Sequence, residues 1–147
     1  MSNCVFICGD DDFIVTRNAK SAFEKAAETC NDEFSKEIID GMAQNVGEVE
    51  EIVGRTLQAA QTLSLFGGRK AIWLRNINFI SDSKTGRSEG AKQQLEQLMN
   101  GIDKIDPQDV SLIVSAFPVD RRRKEFKWFQ KNSSFSDHKG NAENAAE

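Results

Sequence analysis

Short apolar runs alternate with stretches of helical periodicity along most of this chain. Residues 5–7, 71–74 and 110–117 are apolar runs of the kind that form buried strands. A weaker alternation over residues 34–39 predicts a further short strand. Because strands joined through helices pair in parallel, this order predicts an α/β domain with a mostly parallel sheet.

Between these strands, apolar residues recur at three- and four-residue steps, which is typical of amphipathic helices. The predicted helices cover roughly residues 12–30, 46–60, 91–102 and a last one that holds Phe126 and Phe129. Asp120 is expected to cap the last helix. The polar residues 81–90 predict a loop. There is no internal repeat.

The composition is that of a globular domain. The 147 residues include 19 basic and 23 acidic side chains, a net charge of −4, and 39% are hydrophobic. No apolar run approaches the roughly 20 residues of a membrane helix, and the start lacks the basic region of a signal peptide. With only three cysteines, we expect reduced thiols and a cytoplasmic location.

Few residues are suited to catalysis or metal binding. The single histidine, His138, lies in a polar tail, where a Ser–His–Asp or Cys–His site is not expected. Cys4 and Cys8 lack the neighbouring histidines and cysteines of a zinc site. We therefore expect neither catalytic residues nor a metal.

The first strand-to-helix turn is where a nucleotide-binding sheet places its phosphate loop, with glycines and a lysine. Here Gly9 is followed by Asp10, Asp11 and Asp12, whose carboxylates would repel phosphate. The next predicted core strand ends in Arg75-Asn76, where a magnesium-binding or phosphoacceptor aspartate would stand. A nucleotide hydrolase and a phosphoacceptor domain are thus both disfavoured, and the three aspartates are interpreted as helix-capping residues.

The segment after the second predicted helix is apolar. If that helix continued at about 100° per residue from Val53, Leu65 and Phe66 would point away from its core face, with Leu63 at the edge. Either the helix ends early and these side chains turn inward, or they are exposed. Exposed apolar side chains at a helix end are typical of a partner-binding site.

Three motifs carry a resemblance to a known family: FICGDDDF at residues 6–13, LSLFG at 63–67 and FPVDRRRK at 117–124. In this order, over roughly residues 3–135, they resemble the N-terminal domain of the delta subunit of bacterial DNA polymerase III, a clamp-loader subunit. The resemblance implies a three-layer domain like those of P-loop and AAA+ proteins, with a degenerate nucleotide site. It also implies no ATP hydrolysis, no enzymatic activity and no cofactor.

The resemblance further implies binding to the sliding clamp, the beta subunit, and help in opening it. Carried over by position, Leu65 and Phe66 would fill a hydrophobic pocket on the clamp, and Leu63 would make a further contact. The expected domain covers residues 1–135 and is followed by a disordered polar tail, 136–147. The family's middle and C-terminal domains, which meet the other loader subunits, are missing, so we expect a monomer.

A basic run follows Asp120: Arg121, Arg122, Arg123 and Lys124. It suggests weak contact with DNA phosphates or with a partner protein. The helix over residues 121–131 makes a nucleic-acid-binding domain one alternative function, and a phosphoacceptor or nucleotide-binding enzyme domain is the other. A solvated surface partly paired to Asp120 and Glu125 is the other interpretation.

Overall fold

The computed structural model describes residues 4–62 and 67–139. Its five strands are β1 Cys4–Gly9, β2 Lys36–Asp40, β3 Lys70–Ile77, β4 Val110–Ala116 and β5 Ser134–His138. They form one sheet in the order β2-β3-β4-β1-β5, and every neighbouring pair is parallel. The central strands are largely buried, as expected for parallel strands covered on both faces.

The described residues form five α-helices, α1 Asp12–Ala27, α2 Val46–Gln61, α3 Lys84–Arg87, α4 Glu89–Asp103 and α5 Lys124–Asn132, and a short 3-10 helix, Glu33–Ser35. Helix α1 covers one face, where Val15 and Phe23 pack with Trp73 and Ile113. Apolar side chains of α2, α4 and α5 pack in one cluster on the opposite face, against strand residues such as Phe6. These three layers confirm the predicted α/β fold with a parallel sheet. None of the helices in the described ranges is long and apolar enough to cross a membrane.

An aromatic cluster joins the last two elements to the sheet. The Phe6 ring stacks on Phe129, with ring centroids 4.4 Å apart, and on Phe135 at 5.8 Å. Phe126 meets Phe135 edge-on at 5.4 Å. Stacked and edge-on contacts of this kind add to simple burial, so α5 and β5 are integral to the core.

The predicted tail boundary at residue 136 is wrong. Strand β5 continues through His138, which pairs in register with Gly9. Residues 136–138 are polar because β5 is an edge strand whose Asp137 is bonded to Arg121. Lys139 follows β5, and residues 140–147 of the predicted tail lie outside the described residues.

Two further predictions need correction. Asp120 does not cap α5, because that helix begins at Lys124, and Asp120 instead accepts from the main-chain N–H of Arg122 at 3.0 Å. The predicted loop over residues 81–90 contains the short helix α3 and the start of α4. Ser83 and Ser88 cap these helices by accepting from Gly86 N and Ala91 N, so the polar composition reflects capping rather than an irregular loop.

Candidate functional site

The aspartates after β1 have distinct local roles. Asp11 is the N-cap of α1, and its Oδ1 accepts from the main-chain nitrogens of Phe13 at 2.9 Å and Ile14 at 3.4 Å. Asp12 lies in the first turn and accepts from Thr16 Oγ1 at 3.3 Å. The capping interpretation is confirmed for Asp11, whereas Asp10 is bonded to Arg121.

The carboxyl end of β3 is closed by a network around Asn76, which has a φ of 55°. Its Nδ2 donates to Asp12 Oδ1 at 3.0 Å and to Thr16 Oγ1 at 2.8 Å. Ser115 Oγ donates to Asn76 Oδ1 at 2.7 Å and accepts from Asn76 N and Trp73 Nε1. Hydroxyl, amide and carboxylate groups here bond to one another, at the sheet edge where related folds bind ligands.

Arg121 connects this edge to β5. Its Nε and Nη2 donate to the two oxygens of Asp137 at 2.7 and 2.8 Å, and Nη2 also donates to Asp10 Oδ1 at 2.9 Å. The hydrogen bonds with Asp137 are the main reason that the pKa of Arg121 is raised. Nε and Nη2 of Arg121 therefore bond to side chains within the domain.

The other two arginines of the basic run, Arg122 and Arg123, also form ion pairs within the domain. Arg122, whose side chain is 81% exposed, pairs with Asp120 at 2.9 Å, and its hydrogen bonds lower the pKa of Asp120 to about 2. Arg123 is mostly buried and donates to Glu125 at 2.9 Å and to Ser81 O at 2.9 Å. The expected pairs with Asp120 and Glu125 are both present, while contact with DNA or a partner stays a prediction.

Helix α5 carries three further exposed cations. At about 100° per residue, Lys124, Lys127 and Lys131 fall within an arc of about 60°. Phe126 and Phe129 are buried on the opposite side of the helix. None of the three lysines forms an ion pair within the described residues. We call Lys124, Lys127 and Lys131 the α5 lysine stripe.

The predicted clamp contacts Leu63, Leu65 and Phe66 lie outside the described residues. The structure describes both of their flanks. On the N-terminal side, α2 ends at Gln61, and Thr62 is extended with φ −88° and ψ 128°. The helical geometry of α2 therefore stops before Thr62. On the C-terminal side lies a turn of two glycines, which leads into β3.

That turn requires glycine. Gly67 and Gly68 have φ values of 77° and 80°, which other residues rarely adopt. A Cβ on Gly68 would also clash with the side-chain amide of Asn31. Beyond it, Lys70 Nζ donates to Thr62 O at 3.0 Å, so the two flanks are directly bonded. Sequence reasoning singled out the glycines and missed Lys70, whose acceptor lies in the preceding element.

Among the described residues, no group of three or more histidine, cysteine, aspartate or glutamate side chains could hold a metal ion. His138 lies on β5, beside Gly9, rather than in a tail. Burial is the main cause that raises the pKa of Cys4, to about 12, and that of Cys8. These thiols are therefore poor nucleophiles at neutral pH.

Fold and site together define a parallel α/β domain in which polar side chains at the carboxyl end of β3 are bonded to one another. The family model "DNA polymerase III, delta subunit" matches residues 6–138. The chain therefore belongs to the DNA polymerase III delta subunit family, which confirms the resemblance seen in the sequence. Among curated protein sequences, none matches this chain.

Solved structures share the fold. The Bacillus subtilis DNA clamp loader delta protein YqeN is similar with a TM-score of 0.58 at 15% identity, over 92% of this chain and 38% of that protein chain. A chain of the HORMA:CdnC:Trip13 complex of E. coli MS115-1 is similar with a TM-score of 0.59 at 14% identity, over 93% and 49% of the two chains. This chain thus spans well under two thirds of either.

Proposed function

We propose that this domain is the clamp-binding part of a clamp-loader delta subunit, and that it helps to open the sliding clamp during loading onto DNA. The family match over residues 6–138 carries the proposal, because membership of the delta subunit family supports a clamp-loader role. Leu65 and Phe66 are the proposed anchors, with Leu63 as a further contact. The other loader subunits are proposed to bind through parts of the full-length protein outside this chain.

The proposed mechanism is differential binding. A domain that binds the opened clamp interface more tightly than the closed one shifts the clamp towards opening, without chemistry of its own. Two large apolar side chains in a desolvated pocket supply about 2 kcal/mol or more each, by the usual magnitude of interface hot spots. The bonded network around Asn76 supports a role without ATP, because its polar groups are already paired with one another.

The test is a titration of this chain with the sliding clamp from its own source, followed by calorimetry. We expect the Leu65→Ala/Phe66→Ala variant to bind at least about tenfold more weakly, roughly 1.4 kcal/mol. The matched control is Phe13→Ala/Met42→Ala, which removes two exposed apolar side chains, 69% and 59% exposed. Phe13 follows β1 and Met42 follows β2, whereas residues 63–66 precede β3 in the chain. Equal loss in both variants, or none in either, would contradict the assignment. Circular dichroism checks the fold of both variants. A parallel titration of the wild-type chain with ATP is expected to show no binding.

A second candidate function is weak binding to the DNA backbone through the α5 lysine stripe. The observation that favours it is the placement of three exposed lysines opposite the buried face of α5. The net charge of −4 limits the expected affinity. Affinity for DNA falls as salt rises. If the stripe binds phosphates, replacing Lys127 and Lys131 by alanine makes this negative slope of log affinity against log salt shallower by about 0.9 per lysine. The control replaces the exposed Lys20 and Lys25 of α1, and an equal change in slope would contradict the idea.

A further inference from the structure

Strand β2 is an outer strand of the sheet. It pairs with β3 on one side, and no strand of the described residues lies along its other side. The main-chain N–H of Gly41 donates to Arg75 O at 2.7 Å, and alternation along the strand makes Ile39 face β3 as well. Ile38 and Asp40 therefore direct their main-chain N–H and C=O groups away from the sheet. An edge of this kind can pair with a further strand.

Exposed apolar side chains gather at this edge. Phe34, Ile38 and Met42 are 77%, 47% and 59% exposed, and they make up three of the four exposed large apolar side chains among the described residues. Because Ile39 is buried in the cluster that includes α2, alternation places Ile38 on the face of α1. Helix α1 packs mainly on β1, β3 and β4, so Ile38 stays uncovered. Such a group of exposed apolar residues is typical of an interaction surface.

The residue pattern of β2 is self-complementary about Ile38. Lys36, Ile38 and Asp40 lie on one face of the strand in the order basic, apolar, acidic. If a second copy of β2 runs antiparallel with the two Ile38 residues opposite each other, Lys36 of each copy lies opposite Asp40 of the other. Opposite charges and apolar pairs placed directly across two strands are stabilising. In the same register, Phe34 of each copy approaches the end of β2 that carries Met42 in the other.

The main-chain groups match in this register too. In antiparallel pairing, two opposed residues that point towards each other exchange N–H and C=O bonds. The two Ile38 residues are such a pair. Each Asp40 N–H would also donate to Lys36 O of the other copy. The N–H of Lys36 is bonded within its own chain to Glu33 O and is not needed for the pairing.

Both charges of the pattern are available to a second chain. Lys36 pairs with Glu33 at 3.0 Å, but the Glu33 side chain is 86% exposed, and ion pairs open to solvent contribute little. Asp40 is exposed, and its Oδ1 accepts from Met42 N at 3.1 Å. A carboxylate can accept further bonds beside this one.

We infer that β2 is a dimerisation edge, which pairs antiparallel with β2 of a second copy of this chain and joins the two sheets. The inference goes beyond the proposed function and does not depend on it. A second copy fits because the strand carries the opposite charge for each of its own and the main-chain groups coincide in the same register, as a twofold interface requires. Contact along one short strand lies at the small end of specific interfaces, about 1,200 Å² or less, where association is weak. The monomer expected from the sequence therefore prevails at low concentration.

The test exchanges the two charges, first singly and then together. Lys36→Asp brings acidic side chains opposite each other in both halves of the interface, and Asp40→Lys does the same with basic ones. We expect sedimentation velocity at low salt to show a dissociation constant raised at least about tenfold in each variant, since like charges directly opposite destabilise a strand pair. An equimolar mixture of the two variants restores opposite charges at every position and should associate as the wild type does. The double variant Lys36→Asp/Asp40→Lys should also associate.

Two matched controls make the same changes of charge elsewhere. Lys131→Asp alters an exposed side chain of α5, and Glu96→Lys alters one of α4. Both controls are expected to associate as the wild type does. Circular dichroism checks the fold of every variant.

Three results would overturn the inference. The first is a wild-type chain that stays monomeric up to its solubility limit. The second is equal loss of association in the controls and in Lys36→Asp, which would assign the effect to net charge. The third is a mixture of the two single variants that does not associate where the wild type does, which would exclude the antiparallel register.

A reserve variant keeps the test decisive. If Asp40→Lys loses its circular dichroism signal, Ile38→Asp replaces it, because it brings two carboxylates together at the centre of the interface. Unchanged association of that variant would overturn the inference as well. Since none of these measurements involves the clamp, their failure and the failure of the proposed function are distinguishable.

Discussion

Arg121 and Asp137 form a two-pronged ion pair, with Nε–Oδ2 at 2.7 Å and Nη2–Oδ1 at 2.8 Å. The pair ties the edge strand β5 to the turn that precedes α5. Asp137 is 13% exposed and Arg121 31%, so solvent screens the pair less than an open surface pair. A residue of the basic run is therefore part of the fold.

Replacing Arg121 by glutamine is expected to lower the free energy of unfolding by about 2 kcal/mol, since hydrogen bonds to charged groups contribute about 1.5–3 kcal/mol. Urea unfolding followed by circular dichroism measures this. Arg122→Gln serves as the control, because its pair with Asp120 is open to solvent and should change stability little. Equal effects of the two substitutions would contradict a structural role specific to Arg121.

The corrected boundary of the domain predicts the effect of truncation. A chain that ends at residue 135 lacks Asp137 and most of β5, whereas one that ends at residue 139 retains both. We expect the shorter chain to unfold at clearly lower urea concentration, because Arg121 loses its main partner and β1 loses most of its edge neighbour. Identical urea midpoints for the two chains would show that β5 adds nothing to stability.

Glu125 is expected to make stability depend on pH in the acidic range. Burial disfavours its charged form, but the hydrogen bond from Arg123, a main-chain hydrogen bond and nearby positive charges together lower the pKa below its usual 4.5. A lowered pKa in the folded state means that the stabilisation is present above the unfolded value and is lost as the pH falls through the folded value.

The variant Glu125→Gln should therefore be less stable than the wild type at pH 7. The difference in free energy of unfolding should shrink as the pH falls from about 4.5 through the lower pKa of the folded state, because the wild-type carboxylate then becomes protonated. Urea unfolding of both proteins at a series of pH values tests this. A difference that is constant over the whole range would contradict the role of the ionised carboxylate.

Asn76 combines a left-handed backbone with a bonded side chain, and two substitutions separate these features. Asn76→Gly keeps the backbone accessible but loses the bonds to Asp12 and Thr16. Asn76→Ala loses the bonds and also incurs a backbone cost of roughly 1–2 kcal/mol. We expect both variants to be less stable than the wild type in urea, with alanine the worse. Equal stability of the alanine and glycine variants would contradict the strain at a φ of 55°.

The three thiols should differ in reactivity. Cys4 and Cys8 are buried, whereas Cys30 is partly exposed. Burial raises the pKa of all three, to about 12 for Cys4. With iodoacetamide near pH 8, we expect Cys30 to be alkylated first and the other two only when the chain unfolds. Mass spectrometry of peptides identifies the modified residue, with labelling in urea as the control. Labelling of Cys4 or Cys8 at the rate of Cys30 in the folded protein would contradict this order.

Local patterns in the sequence were enough to predict most of the core. Hydrophobic periodicity placed the buried strands β1, β3 and β4 and the longer helices, because burial on one or both faces is written into the spacing of apolar residues. The N-cap Asp11 was also predictable, since the main-chain N–H groups that donate to its side chain lie within three positions. The ordered motifs further identified the family, while the clamp contacts Leu63, Leu65 and Phe66 stay predictions.

What the sequence by itself determined is thus the alternation of strands and helices, the apolar core and the absence of a phosphate-binding motif after β1. Only the tertiary structure decided that β5 completes the sheet and that Arg121 bonds to Asp10 at a separation of 111 positions. It also decided that Lys70 donates to the carbonyl of Ala59 in the last turn of α2. The physical reason is that a polar side chain has many potential partners along the chain. The partner of such a side chain is fixed only when parallel strands bring distant segments to the same edge of the sheet.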